Sequence, residues 1–164
     1  MNDLALAYRL AEEAHEGQID KIGMPYFHHV RAVSELVQIF PSYRQFTEAN
    51  KINAIIVGVL HDIVEDTDCT LEYLNNHFDR NIIDGVKLLT FDKTITRVEY
   101  YKNIIVSPVA RLVKTADLAH NNLYNRRFML DEETQTRLEL KYAKAIDIIV
   151  KREDIKTFNT LISK

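Results

Sequence analysis

Apolar residues recur along the chain at intervals of three and four, the spacing that puts them on one face of an α-helix. In the first such segment Leu4, Ala7, Tyr8, Ala11, Ala14 and His15 line up, with a start after Asn2 or Asp3. A loop with Gly17, Gly23 and Pro25 precedes a second helix, near Tyr26 to Phe40, that turns Val30, Val33 and Val37 inward and stops at Pro41. A third begins at Thr47, a residue suited to cap orphan backbone N–H groups, and carries Ile52, Ile55, Ile56, Val59, Leu60 and Ile63 inward. Thr70 is placed to cap a short helix ending near Phe78, and Asp79 another with Ile82, Ile83, Val86 and Leu89 inward. Thr96 and Glu99 have capping-box spacing and predict a helix through Tyr100, Tyr101 and Ile104. Ser107-Pro108 reads as N-cap plus N1 proline before a helix burying Val109, Leu112, Val113 and Ala116. Asp131 caps a long helix with Leu138, Tyr142, Ala145 and Ile149 on one face, and a short last helix holds Ile155, Phe158 and Ile162.

No stretch alternates with period two, so the expected fold is all-α, a bundle of helices with no substantial sheet. The 164 residues suit one domain (1–164) with a core that needs no disulfide, and the single cysteine, Cys69, cannot form one internally. The formal net charge of −3 gives no general attraction to nucleic acid or anionic lipid, and no basic stripe with interleaved aromatics is present. The apolar stretch from Ile55 to Leu60 is too short to cross a bilayer, and the N-terminus has acids where a leader has lysine or arginine. A cytoplasmic location is therefore expected, with no membrane partner.

Polar residues crowd the end of the third helix in the order His61, Asp62, Glu65, Asp66. At helical spacing His61 and Glu65 share one face, and Asp62 and Asp66 the adjacent one. Gly58 lies one turn before Asp62, where a missing side chain lets another helix approach. Three acids beside a histidine at the negative end of a helix dipole favour a cation, although a solvated helix end accounts for the same pattern. Two further segments add candidates. His28 and His29 open the second helix, and Asp117 follows Ala116 on the edge of an apolar face, where a carboxylate is costly to bury alone. Each also reads as a satisfied polar residue at the core boundary, and for His28 that reading is preferred.

The order His29, His61-Asp62, Asp117 resembles that of the HD-domain phosphohydrolases. The segments Ala11–His15-Glu-Gly17-Gln18, Lys21, Gly23-Met-Pro25-Tyr26-Phe-His28-His29, Leu60-His61-Asp62-Ile-Val-Glu65-Asp66-Thr67, Leu89-Thr90-Phe-Asp-Lys93 and Lys114-Thr-Ala-Asp117-Leu-Ala-His-Asn121 are similar to one branch. That branch comprises the hydrolase domain of RelA/SpoT proteins and the small alarmone hydrolases, and the likeness runs from about residue 4 to residue 150. It implies an HD-type helical bundle and one divalent metal, commonly manganese, on His29, His61, Asp62 and Asp117. It implies proton handling by Glu65 and Asp66 for a metal-activated water, and release of pyrophosphate from the ribose 3′ position of ppGpp. Two imidazoles and two carboxylates suit Mn, Fe or Zn alike.

On the substrate side the resemblance implies Lys21, Lys93 and Asn121, with Tyr142 within reach of the same pocket. Without the motif the two lysines read as surface residues, Asn121 as a helix C-cap and Tyr142 as core. The chain departs from the family pattern at Asp20, where relatives have an arginine associated with the base side of the pocket. It departs again after Asn121, where Asn122-Leu123 replace Leu-Arg. Arg126 and Arg127 form a basic pair that could compensate. The expected activity is thus hydrolysis of (p)ppGpp or a related 3′-phosphorylated nucleotide. Another HD phosphatase activity on NADPH or a nucleoside monophosphate remains an alternative, as does a non-catalytic nucleotide-binding module. Homo-oligomerisation is left open.

Overall fold

The computed structural model describes residues 3–163. Among these the chain forms helices joined by short turns: α1 (Asp3–Ala14), α2 (Tyr26–Leu36), α3 (Glu48–Leu60), α4 (Ile63–Asp66), α5 (Leu71–Asn75), α6 (Arg80–Leu89), α7 (Arg97–Ile104), α8 (Pro108–Asn121), α9 (Tyr124–Phe128), α10 (Glu132–Ile149) and α11 (Ile155–Ile162). Two 3₁₀ segments, Val37–Ile39 and Pro41–Gln45, link α2 to α3. No strand is present among the described residues; one isolated bridge joins Ile19 to Pro25. Asn2, one of the two expected starts of the first helix, lies outside the described residues.

The caps follow the sequence. The side chains of Thr47, Thr70, Thr96, Ser107 and Asp131 each accept a backbone N–H in the first turn of their helix. At Thr96–Glu99 both halves of the capping box are made. Asp79 precedes α6 without a side-chain cap bond.

The apolar α3 is the hub, packed against α1, α2, α6 and α8. Gly58 is the point of closest approach to α2: a Cβ there would lie 2.9 Å from Ser34 Cα. α8 in turn packs on α2, α10 and α11, and Phe158 of α11 is fully buried. Asp154, also buried, ties the 3₁₀ segment to α11 by accepting the Ser42 N–H at 2.9 Å.

Four expectations change. Ile52 is exposed, because the first turn of α3 stands in solvent from Thr47 to Asn50 and Ile52 shares that exposure. The second helix ends at Leu36 rather than Phe40, tightening into the 3₁₀ turn that begins at Val37. The third helix does not run through the acids: α3 ends at Leu60, His61 and Asp62 form a turn, and α4 starts at Ile63. Here the His61 ring Nδ1 sits 2.8 Å from the Gly58 carbonyl, the acceptor that a continuing helix would offer to Asp62. The face shared by His61 and Glu65 is therefore not that of one helix. Finally, α9 was not foreseen. Its five residues are too few for a helical repeat to show.

Candidate active site

α2 supplies His29, the α3–α4 turn supplies His61 and Asp62, and α8 supplies Asp117. The packing of α2, α3 and α8 brings these together; His29, Asp62 and Asp117 line a cleft of about 570 Å³, and His61 is buried beside Asp62. One ligand-capable atom each from His29, His61 and Asp117 lies within 4.8 Å of the others. Asp62 lies beside both rings but outside that group of three: its Oδ2 is 2.9 Å from His61 Nε2 and 3.5 Å from His29 Nε2. His29 Nε2 is 3.3 Å from Asp117 Oδ1. His28, one residue before His29, is exposed.

The ring geometry suits a cation. The bond from His61 Nδ1 to the Gly58 carbonyl fixes the ring with Nε2 toward the Asp62 and Asp117 carboxylates. That Nε2 is buried and makes no hydrogen bond of good geometry, although the Asp62 carboxylate lies beside it. Buried carboxylates are costly unless cationic charge, a proton on the rings or a metal ion, lies against them. His29 is set likewise, its Nδ1 2.7 Å from His120 Nδ1 and its Nε2 facing the two carboxylates.

The charges are strongly coupled. Burial alone would lower the His29 pKa, but the hydrogen bonds it donates to the Asp117 and Asp62 carboxylates hold it up at about 9. Burial would raise Asp62, and the neighbouring His61 and His29 outweigh it, keeping its carboxyl well below the usual range. For Asp117 the same burial is overcome chiefly by Lys114, whose Nζ lies 2.7 Å from its Oδ2. Lys114 is in turn held charged by Asp117 against a burial that would neutralise it.

Glu65 and Asp66 also line the cleft. Glu65 Oε2 accepts the Phe91 N–H at 3.0 Å. The Tyr26 hydroxyl lies 2.7 Å from Asp62 Oδ2 and 3.0 Å from Asp66 Oδ2, and Gln18 Nε2 donates to the Asp66 carbonyl at 2.8 Å. Among the expected substrate residues, Lys21, Asn121 and Tyr142 line the cleft. Asn121 Nδ2 donates to Asp117 Oδ1 at 2.6 Å, so it supports the Asp117 carboxylate as well as lining the cleft. Lys93 is exposed and does not line it. Arg97, at the start of α7, lines it instead, with its guanidinium 3.7 Å from the centre of the Phe91 ring.

Sequence reasoning gave no role to Tyr26, Arg97, Lys114, His120 or Lys141. Tyr26 is part of the quoted motif, and Lys114 and His120 stand three residues either side of Asp117, a spacing that puts them near its face. Nothing in the sequence marked Arg97 or Lys141.

No family model matches the chain. It is similar over 124 residues, 33% identical, to the guanosine-3′,5′-bis(diphosphate) 3′-pyrophosphohydrolase of Haemophilus influenzae, a match covering 68% of this chain and 17% of that protein. It is 34% identical over 110 residues to the human pyrophosphohydrolase MESH1, covering 62% of this chain and 56% of the relative. It thus spans about half the length of MESH1 and a smaller part of the bacterial protein. A solved structure described as a metazoan ortholog of SpoT that hydrolyses ppGpp superposes with a TM-score of 0.76 at 21% identity, over 99% of this chain and 93% of the other. That likeness fixes the fold as the HD type. No helix among the described residues is long and apolar enough to cross a membrane.

Proposed function

We propose that the chain is an HD-domain phosphohydrolase on the branch of the ppGpp 3′-pyrophosphohydrolases, a manganese-dependent pyrophosphohydrolase of (p)ppGpp or a closely related 3′-phosphorylated nucleotide. One observation carries the reading: two histidines and two carboxylates from three parts of the chain lie together, three of them lining a cleft whose walls carry cations.

His29, His61, Asp62 and Asp117 would hold the divalent ion. When bound, it supplies a Lewis acid that lowers the pKa of water and neutralises phosphate charge. Glu65 and Asp66, at the same end of the cleft, take the proton of the attacking water. The water oxygen ends on the released pyrophosphate, and the ribose 3′ oxygen leaves as a hydroxyl. Tyr26 holds Asp62 and Asp66 in register through its one hydroxyl. Lys21, Arg97 and Lys141 line the cleft with no ion pair to an acid among the described residues, which leaves their charge for phosphate oxygens. Lys114, occupied by Asp117, sets that carboxylate instead.

The deciding experiment is a manganese-supplemented assay over ppGpp, pppGpp, ppApp and NADPH with products identified. Pyrophosphate release that stops on chelation and in the Asp62→Ala variant is the expected result. Release of orthophosphate alone would transfer the site to a different HD phosphatase activity, the reading that Asp20 keeps open. Undiminished turnover by Asp62→Ala would remove the proposed centre.

A further inference from the structure

Beyond the metal cluster, one wall of the cleft follows α8. Asp117 stands at the metal end, Asn121 one turn further, and Arg126 past the end of the helix. The facing wall is the loop after α1, with Ile19 and Asp20. The two walls are tied where Arg126 Nη1 meets Asp20 Oδ2 at 2.9 Å; the side chains are 14% and 5% exposed. The other Asp20 oxygen accepts the N–H groups of Ile22, at 3.0 Å, and Met24, at 2.9 Å. Gly23, at φ 81°, gives the loop the left-handed turn that this wrapping needs. One Asp20 oxygen is thus held by two backbone N–H groups, and the other is buried against the Arg126 guanidinium without a hydrogen bond of good geometry. Arg127, the neighbour of Arg126, pairs with Glu139 instead.

Arg126 differs from the other cations of the cleft. Its charge is matched by a buried carboxylate, whereas Lys21, Arg97 and Lys141 have no such partner among the described residues. An ion-paired guanidinium still presents a planar face and several N–H donors, but little net charge. That suits a flat, neutral, acceptor-bearing ring better than a phosphate. Ile19, 69% exposed, adds apolar surface to the cleft beside Asp20.

We propose that Arg126, oriented by Asp20, receives the nucleobase of the substrate where the two walls of the cleft are tied. The inference rests on the nucleotide reading above and adds the location and chemistry of base recognition. Arg126 is the contacting residue and Asp20 its positioning residue. Because a guanidinium only donates, it favours the O6/N7 acceptor edge of guanine over adenine, whose N6 is a donor.

The test measures binding and turnover separately. Wild type, Arg126→Ala, Arg126→Gln and Asp20→Asn, each checked by melting temperature, are titrated after chelator treatment with ppGpp, ppApp and inorganic pyrophosphate. They are then assayed with manganese. In Arg126→Ala, ppGpp binding is expected to weaken about tenfold, the loss of roughly one hydrogen bond to a charged group. Pyrophosphate binding should hold and the preference for ppGpp over ppApp should shrink, with the change falling mainly on KM. Asp20→Asn should move the same quantities by less. Unchanged ppGpp affinity in folded Arg126→Ala and Arg126→Gln, or an equal loss for pyrophosphate, would overturn the assignment. Wild-type turnover alongside unaltered variants would sink this inference while leaving the hydrolase reading intact. Binding that depends on Arg126 without any turnover would do the reverse. A wild type that binds no nucleotide would overturn both.

Discussion

His29 and His120 meet Nδ1 to Nδ1 at 2.7 Å beneath the candidate metal centre. Only one of them can donate in that bond. Burial, then the nearby His29 and Arg126, push the His120 pKa down to about 3, so His120 is neutral and accepts. His29 donates, and its ring is fixed with Nε2 toward Asp62 and Asp117. Loss of such an outer partner commonly lowers metal affinity about 10- to 100-fold. His120→Ala is expected to fall in that range by calorimetric titration with Mn²⁺, and His120→Gln, which keeps an acceptor, to recover part of it. Equal affinities for wild type and His120→Ala would deny the pairing any role in holding the metal.

Tyr26 places one hydroxyl between two carboxylates. Burial and the adjoining Asp62 and Asp66 raise its pKa far above the ordinary phenol value, so it stays a donor at any working pH. Tyr26→Phe leaves Asp62 and Asp66 without that donor. Stability is expected to fall by about 1–3 kcal/mol in urea unfolding, with kcat falling as Asp66 loses its setting. A folded variant with wild-type kcat would show that the hydroxyl does not position Asp66.

The His29 proton must leave before a cation can bind. With the pKa held at about 9, the metal-free chain carries that proton at neutral pH. Metal uptake below pH 9 therefore releases it, and apparent affinity should rise with pH by up to about tenfold per unit, flattening above about 9. Stability of the metal-free chain runs the other way. A pKa raised above 6.5 contributes fully below that value, and the contribution is lost as pH climbs through about 9. Titrations in two buffers of different ionisation enthalpy, from about pH 6 to pH 9, read both the affinity and the proton count. An affinity that does not change with pH would contradict this protonation state.

Gly58→Ala tests the contact between α2 and α3. Alanine favours a helix over glycine by roughly 0.5–1 kcal/mol, but its Cβ would meet the Ser34 backbone at 2.9 Å. Backbone cannot swing aside as a side chain can, and overpacking costs typically about 1–3 kcal/mol. A net loss of melting temperature is expected. Retained or increased stability would mean that the two helices separate at little cost.

The helical architecture was legible because most cap signals sit within four residues of what they cap, as at Thr96–Glu99 and Ser107–Pro108. The polar cluster from His61 to Asp66 was visible at the end of an apolar repeat, but the set His29, His61, Asp62 and Asp117 came only from the resemblance to the HD-domain family. The pairing of Asp20 with Arg126 was not legible, since it depends on how a loop and a five-residue helix meet across the cleft. Arg126 and Arg127 looked equivalent in sequence, and only the packing of α9 assigns one to Asp20 and the other to Glu139. The break after Leu60 was hidden for a similar reason: the His61 ring captures a carbonyl that the repeat pattern assigns to the backbone.

The gathering of His29, His61, Asp62 and Asp117 from far-separated stretches has a consequence for biosynthesis. A chain growing on the ribosome exposes α2 and α3 long before α8 is made. The proposed centre would be complete only once α8 has emerged and brought Asp117 to the other three residues. Truncated products that stop before Asp117 should therefore be catalytically silent.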